Sequence, residues 1–347
     1  MPPDTPPAAL RIDLDEAALR HNWRSLDRLS GAARAGAAIK ANGYGLGARR
    51  VARALQAEGC RDFFVAHWCE IEELRDVLDP GSLAVLHGPL SDADCLYARE
   101  TGARPVINSI AQARRWITTG GGRCDLMVDT GMNRLGVPLS ELGDEIFGQL
   151  DIEVLHSHLA CADEDVPLND LQLQRWADVR ARIAHRRAAL ANSAGIILGV
   201  PFHGDLTRPG LSLYGGIPRP ELEGLIRQVA KPAAAVLQVR NIRKGEGVGY
   251  NSKYIAPRDM RIGTIALGYA DGYLRCWSGI GSAACEGSAL PVLGRVSMDM
   301  TILDLSDAHE VREGEWVSID YSLPEASARS GLSQYELLTL LGRRFAR

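Results

Sequence analysis

Lys40 follows a short apolar run, Ala37 to Ile39, and precedes a glycine-spaced loop, ANGYGLG, that carries one tyrosine, Tyr44. A lysine at the end of a buried strand is partly desolvated. Burial disfavours the ammonium, lowers its pKa from about 10.4 and frees the amine to condense with a carbonyl. The glycines let a ligand approach the backbone. An isolated lysine at a strand end is an ordinary surface residue, so the company it keeps decides. Asp129-Thr130-Gly131-Met132-Asn133-Arg134, His156-Ser157-His158, Asn192-Ser193 and Arg208-Pro209-Gly210 also sit at the ends of apolar runs. Together these segments supply a nucleophile, cations, imidazoles, small hydroxyls and flexible backbone.

The elements that must position these groups alternate along the chain. Apolar runs read as strands at Ala37–Lys40, Phe63–His67, Leu83–His87, Pro105–Asn108, Cys124–Asp129 and Ile152–His156, with weaker units ending near Ala191 to Ser193 and Leu206 to Arg208. Helical spacing falls between them. Leu19, Trp23, Leu26 and Leu29 open the series, and Arg49–Glu58, Ile71–Leu78, Ala93–Thr101, Ile110–Thr118 and a long Asp170–Leu190 follow. Eight strand–helix units in roughly 200 residues predict an α/β fold with an N-terminal (β/α)8 barrel, in which the active site lies on the loops after the strands. Beyond about Gln228 the chain becomes strand-rich, with runs at Ala235–Ile242, Arg261–Leu267 and the alternating Val296–Ile302, and turn signals at Lys244-Gly245, Glu246-Gly247 and Glu286-Gly287. The expected domains are a barrel over 11–228 and a β-rich domain over 229–347. The strand 10–14, after a proline-rich segment 1–9, is a candidate to pair with the second.

Composition narrows the function classes. With 347 residues, 46% of them apolar, the chain can bury two moderate cores. A formal charge of −4 offers no electrostatic case for nucleic acid or an anionic membrane. No apolar run reaches the roughly 18 residues of a membrane span, and MPPDTPPAAL has neither the basic start nor the apolar core of a signal peptide. Seven cysteines, an odd number without a CxxC pair, fit a reducing compartment. The expectation is a soluble cytoplasmic protein.

The loops after the seventh and eighth strands of such barrels often hold a phosphate with backbone N–H groups and small hydroxyls. A lysine nucleophile facing a phosphate pocket points to pyridoxal phosphate. The segments AAIKANGYG, VDTGMNRLG, HSHLACADE, NSAG, DLTRPGLSLYG, GVGYNSKY, IALGYADGY and LGRVSMDM then carry a resemblance over nearly the whole chain. In type and order they are similar to the signatures of the alanine racemases, fold-type III enzymes dependent on pyridoxal 5'-phosphate.

The resemblance implies roles residue by residue. Lys40 carries the cofactor covalently and serves as one catalytic base. Tyr250, lent by the β-rich domain of a partner subunit in a homodimer, is the other. Two bases are needed because a planar α-carbanion deprotonated on one face must be reprotonated on the opposite one. Tyr44, Ser193 and the backbone N–H groups of Gly210 and Leu211 form a phosphate cradle. Arg208 meets the pyridine nitrogen; a guanidinium has no acceptor, so that nitrogen stays unprotonated and transamination is suppressed. His158 bridges Arg208 and the tyrosine. Arg134 clamps the substrate carboxylate with the backbone N–H of Met298, and Tyr269 and Asp299 line the access channel. The implied activity is interconversion of L- and D-alanine, supplying D-alanine for peptidoglycan.

Three departures from the family pattern stand out. Met127 occupies the position of a carbamylated lysine that orients the arginine in many members. Leu46 replaces a common histidine. Arginine fills positions 343 and 344, where some members have a phosphate-contacting tyrosine. Three other readings compete. One is a racemase acting on serine or other amino acids. Another is a non-enzymatic pyridoxal-phosphate carrier, a group that lacks a second domain. The third is a metal-dependent barrel hydrolase built on His156 and His158 with His203 and Asp205, which leaves Lys40, Arg208 and Tyr250 without roles.

Overall fold

The computed structural model describes residues 6–346; residues 1–5, where the proline-rich segment begins, and residue 347 lie outside it. Glu16–Arg227 form one compact unit, and the segment ending at Asp15 joins Gln228 and the residues after it in another.

The first unit is a parallel β-barrel wrapped by helices. Its strands are Ala37–Ala38, Phe63–Val65, Leu83–Val85, Arg104–Ile107, Arg123–Asp129, Asp151–His156 and Arg187–Ala189, each parallel to the next, followed by Leu206–Thr207. The ring closes through the last strand. Leu206–Thr207 pairs in parallel with Arg34–Ala35, and the Ala38 N–H donates to the Pro209 carbonyl at 2.9 Å. On its other edge the N–H groups of Asp205 and Arg208 donate to the carbonyls of Ala188 and Ala191, both at 2.8 Å. Along Arg123–Asp129 the side chains alternate. Cys124, Leu126 and Val128 pack outward with Leu155, Trp176 and Val179 under the helices, so Asp125, Met127 and Asp129 face the barrel axis.

Helix boundaries follow local chemistry. Ala48–Glu58 buries Ala48, Val51, Ala52 and Leu55 on one face and stops at Gly59, whose φ of 110° few side chains tolerate. Asp92–Thr101 starts from a capping box between Ser91 and Asp94. The helix expected over Asp170–Leu190 runs instead from Pro167 to Arg182. Backbone extends from Ile183, because Arg187–Ala189 must become the seventh strand, pairing with Val154, Leu155 and His156.

In the second unit an antiparallel sheet also closes on itself, in the order Ala230–Ile242, Met260–Ile265, Thr301–Asp304, Ser288–Leu293, Ser282–Cys285, Trp316–Ile319 and back to Ala230–Ile242. A register shift between Val236 and Gln238 lets the 13-residue strand serve several neighbours. Leu10–Leu14 pairs antiparallel with Ala230 to Ala234. The alternating segment Val296–Ile302 is a strand only from Thr301. Before that, the Ser297 N–H donates to the Met300 carbonyl at 3.0 Å and the Ser297 Oγ accepts the Met300 N–H at 3.2 Å, which folds Ser297 to Met300 into a turn. Period-two polarity there comes from a serine-anchored turn and not from a sheet.

Candidate active site

Lys40 follows the first strand, two residues past Ala38, and begins an unusual turn. Ala41, Asn42, Gly43 and Tyr44 hold φ of 53°, 55°, 61° and 55°, a run of left-handed residues of which one is glycine. Each non-glycine residue held this way costs roughly 1–2 kcal/mol, so side chains must fasten the turn. The Glu70 carboxylate accepts the N–H groups of Ala41 at 2.6 Å, Ala66 at 2.7 Å and His67 at 3.0 Å. Asn42 Oδ1 accepts the Ala48 N–H at 2.8 Å and ties the turn to the following helix. The Lys40 amine is held below its ordinary pKa, chiefly by burial and then by the Arg134 charge, with Glu70 opposing and Arg208 adding.

Across the barrel end, the eighth strand leads into Arg208-Pro209-Gly210 and then a single turn, Leu211–Tyr214. Ser193 Oγ accepts the N–H groups of Gly210 at 3.0 Å and Ser212 at 3.2 Å. The Ser212 hydroxyl is buried without a hydrogen-bond partner among the described residues. Gly210 is glycine for a steric reason, since a Cβ there would run into the Tyr44 hydroxyl. Tyr44 stacks on Tyr214 with ring centroids 4.6 Å apart, and the Tyr214 hydroxyl donates to the Ala38 carbonyl at 2.8 Å. The result is a cluster of hydroxyls, those of Tyr44, Ser193 and Ser212, around the Gly210 backbone.

Arg208 is buried beside Phe64, with its guanidinium carbon 6.0 Å from the ring centre. Nη1 donates to the Ala189 carbonyl at 2.6 Å and to His156 Nδ1 at 3.0 Å, and Nη2 donates to the Ser157 carbonyl at 2.6 Å. No carboxylate touches it among the described residues. Burial brings its pKa down to about 10 while the charge of Asp125 opposes the fall, so it remains a cation at neutral pH.

The histidine bonded to Arg208 is His156, not His158. Along the sixth strand His156 points at the axis, whereas His158 lies past the strand end, where its carbonyl accepts Gln172 Nε2 at 3.0 Å and its ring makes no hydrogen bond among the described residues. Burial first, then the charges of Arg208, Arg134 and Lys40, push the His158 pKa down to about 3. Arg134 is exposed. Its N–H donates to Asp129 Oδ2 at 3.2 Å, and its guanidinium has no hydrogen bond or ion pair among the described residues. Met127 is buried next to His156 in the sheet register and offers no charge to Arg134. The histidines do not form a metal centre: His156 uses both ring nitrogens inside the barrel, and those of His203 face the carbonyls of Ser30 and Ile196. No cluster of three metal-binding side chains occurs among the described residues.

In the second unit Tyr250, Tyr269 and Met298 line one cleft of about 280 Å³ with Asn251, Arg275 and Arg295. Tyr250 opens a tight turn after Gly249 and is 67% exposed; Met298 is 53% exposed. The carbonyls of Ser297 and Met298 accept the N–H groups of Tyr269 and Ala270, both at 3.0 Å. Arg344 fastens the same region, donating from Nε to Asp271 at 2.7 Å and from Nη1 to Asp299 at 2.8 Å.

Comparisons with known proteins agree along the whole chain. Residues 14–218 match the family "Alanine racemase, N-terminal domain", and residues 229–347 match "Alanine racemase, C-terminal domain". An alanine racemase of Methylobacterium nodulans is 41% identical over 97% of this chain and 95% of its own length. A catabolic alanine racemase of Mesorhizobium japonicum is 42% identical over 98% and 92%. Among solved structures, the alanine racemase of Bartonella henselae with covalently bound pyridoxal phosphate superimposes with a TM-score of 0.90 at 34% identity, covering 98% of this chain and 99% of that one.

Proposed function

The chain belongs to the alanine racemase family, and from that premise we propose that it interconverts L- and D-alanine with pyridoxal 5'-phosphate, as a cytoplasmic homodimer supplying D-alanine for peptidoglycan. No described helix is long and apolar enough to cross a membrane. The barrel unit, Glu16–Arg227 rather than 11–228 because the strand Leu10–Leu14 pairs with the other sheet, binds the cofactor, and the β-rich unit lends Tyr250 to the partner's site.

The observation that carries this reading is a half-buried lysine amine, below its ordinary pKa, at the same barrel end as a neutral anion cradle. The residues fit the cofactor. The Ser212 hydroxyl, unpartnered among the described residues, and the Tyr44 hydroxyl, packed against Gly210, suit phosphate oxygens. Arg208, a donor without acceptor capacity, suits an unprotonated ring nitrogen. When bound, pyridoxal phosphate acidifies the α-hydrogen of an amino acid.

Everything else falls to the chain. Lys40 Nζ takes or returns the α-proton on one face, and the phenol of the partner's Tyr250 does so on the other. The exposed Tyr250, in a cleft with Tyr269 and Met298, supports its availability to a neighbouring subunit. Arg134, with a guanidinium unengaged among the described residues, clamps the substrate carboxylate together with the Met298 N–H. Tyr269 and Asp299 line the approach.

Lys40→Ala and Tyr250→Phe chains test the shared site. Each homodimer should be inactive, and a mixed dimer has one intact and one doubly defective site, so mixing should restore racemisation read by chiral chromatography. No recovery in verified mixed dimers counts against Tyr250 acting across subunits. A panel including serine checks the substrate.

A further inference from the structure

Behind Arg208 a polar chain crosses the barrel interior, and its members lie far apart in sequence. His156 Nδ1 faces Arg208 Nη1 at 3.0 Å, and His156 Nε2 faces Asp125 Oδ2 at 3.1 Å. Asp125 Oδ1 accepts from Arg104 Nε at 3.1 Å and from the Val154 N–H at 3.2 Å. Arg104 stands 3.6 Å from Asp62, which pairs with Arg187, itself 3.0 Å from Glu153.

The guanidinium dictates the imidazole's state. Arg208 has only donors, so Nδ1 must be the acceptor and the proton sits on Nε2, where it is donated to Asp125. Both His156 and Asp125 are fully buried. Arg208, Arg104 and Arg187 alternate along the chain with Asp125, Asp62 and Glu153, and Arg123 reaches Glu153 at 3.7 Å at its far end. The anion nearest to Arg208 in this chain, Asp125, stands one imidazole away. Direct contact with a carboxylate would direct the guanidinium's donors and field at that anion. A neutral ring fixes the guanidinium and leaves its charge directed at the mouth.

We propose that His156, backed by Asp125, is a positioning residue for Arg208, holding the guanidinium in the orientation in which it meets the pyridine nitrogen of the cofactor. The inference rests on the reading of Arg208 given above. Stability alone is a weak reason for such a pair, because well-packed apolar residues of similar volume often replace buried ion networks without loss.

The test uses purified holoenzyme with two readouts: the visible absorption band of the bound cofactor, and the fraction of turnovers that convert the cofactor to its amine form. In the double variant Asp125→Leu/His156→Phe the band should shift and that fraction should rise about tenfold, the size expected for losing one charge-assisted hydrogen bond. His156→Asn keeps an acceptor near the Nδ1 position and should lie nearer the wild type in both readouts. A double variant with the wild-type band and partition, or an Asn variant no better than the double, overturns the proposal. If the double does not fold, Asp125→Asn, nearly isosteric, should shift the band, and an unshifted band there also overturns it. Arg208→Lys separates the two levels of inference. If it too changes neither readout, the reading of Arg208 fails; if it responds while the double does not, only the role of His156 falls.

Discussion

At the scale of single residues, the cradle depends on one absent methyl group. Gly210 has a φ of −131°, open to any residue, so its constraint is the space occupied by the Tyr44 hydroxyl and ring. Gly210→Ala should destabilise the protein by about 1–3 kcal/mol through overpacking and weaken cofactor uptake. Tyr44→Phe removes the atom that the methyl meets, so in a double-mutant cycle of urea unfolding on the apoenzyme the pair should couple favourably by at least about 0.5 kcal/mol; additive losses would mean that the two positions do not compete for that space. Lys40, Tyr44, Ser193 and Arg208 were singled out in the sequence by their places in the loops that follow apolar runs. Glu70 and Asp125 were not. Their partners, Ala41 and His156, lie 29 and 31 residues away and are joined only by the pairing of strands. One signal for His156 was visible, a histidine closing the sixth strand, but two residues further on His158 matched the family motif.

At the scale of elements, the left-handed turn that presents Lys40 is the strained part of the barrel. Ala41→Gly relieves roughly 1–2 kcal/mol of left-handed strain and gives back about 0.5–1 kcal/mol in chain entropy, so it should be neutral to slightly stabilising. Glu70→Ala strips three backbone N–H groups of a charged acceptor and should cost about 2–3 kcal/mol. Chemical denaturation of the two variants side by side checks the pair, and a Glu70→Ala chain as stable as the wild type would show that something else fastens the turn. Most strands and helices were readable from apolar periodicity to within a few residues. The failures share a physical cause. From Arg175 to Ala189 the chain is rich in alanine and arginine without a break, and its change from helix to strand is set by pairing with Leu155 and His156. The turn at Ser297 mimics a strand in polarity, and only its serine-to-Met300 hydrogen bonds distinguish it.

At the scale of the whole molecule, imidazoles buried without charge make stability depend on acid. Burial brings the pKa of His156 to about 4 and that of His158 to about 3, against 6.5 for an ordinary histidine. Both values are lowered on folding, so the unfolded chain binds these protons at a pH where the native protein does not. Stability is then complete above about pH 6.5 and falls as the solution is acidified toward pH 4, by about 1.4 kcal/mol per pH unit for each histidine. The Asp125 carboxylate is held below its ordinary range by Arg104 and His156 against burial, so it stays ionised across this window and does not offset the loss. Urea midpoints of the apoenzyme should be nearly level at about pH 7.5 and decline toward about pH 5 with a slope that approaches two protons, one of which His158→Gln should remove. A flat midpoint over the window would mean that these rings are protonated in the folded protein, and with a protonated His156 the acceptor that Arg208 requires would be gone.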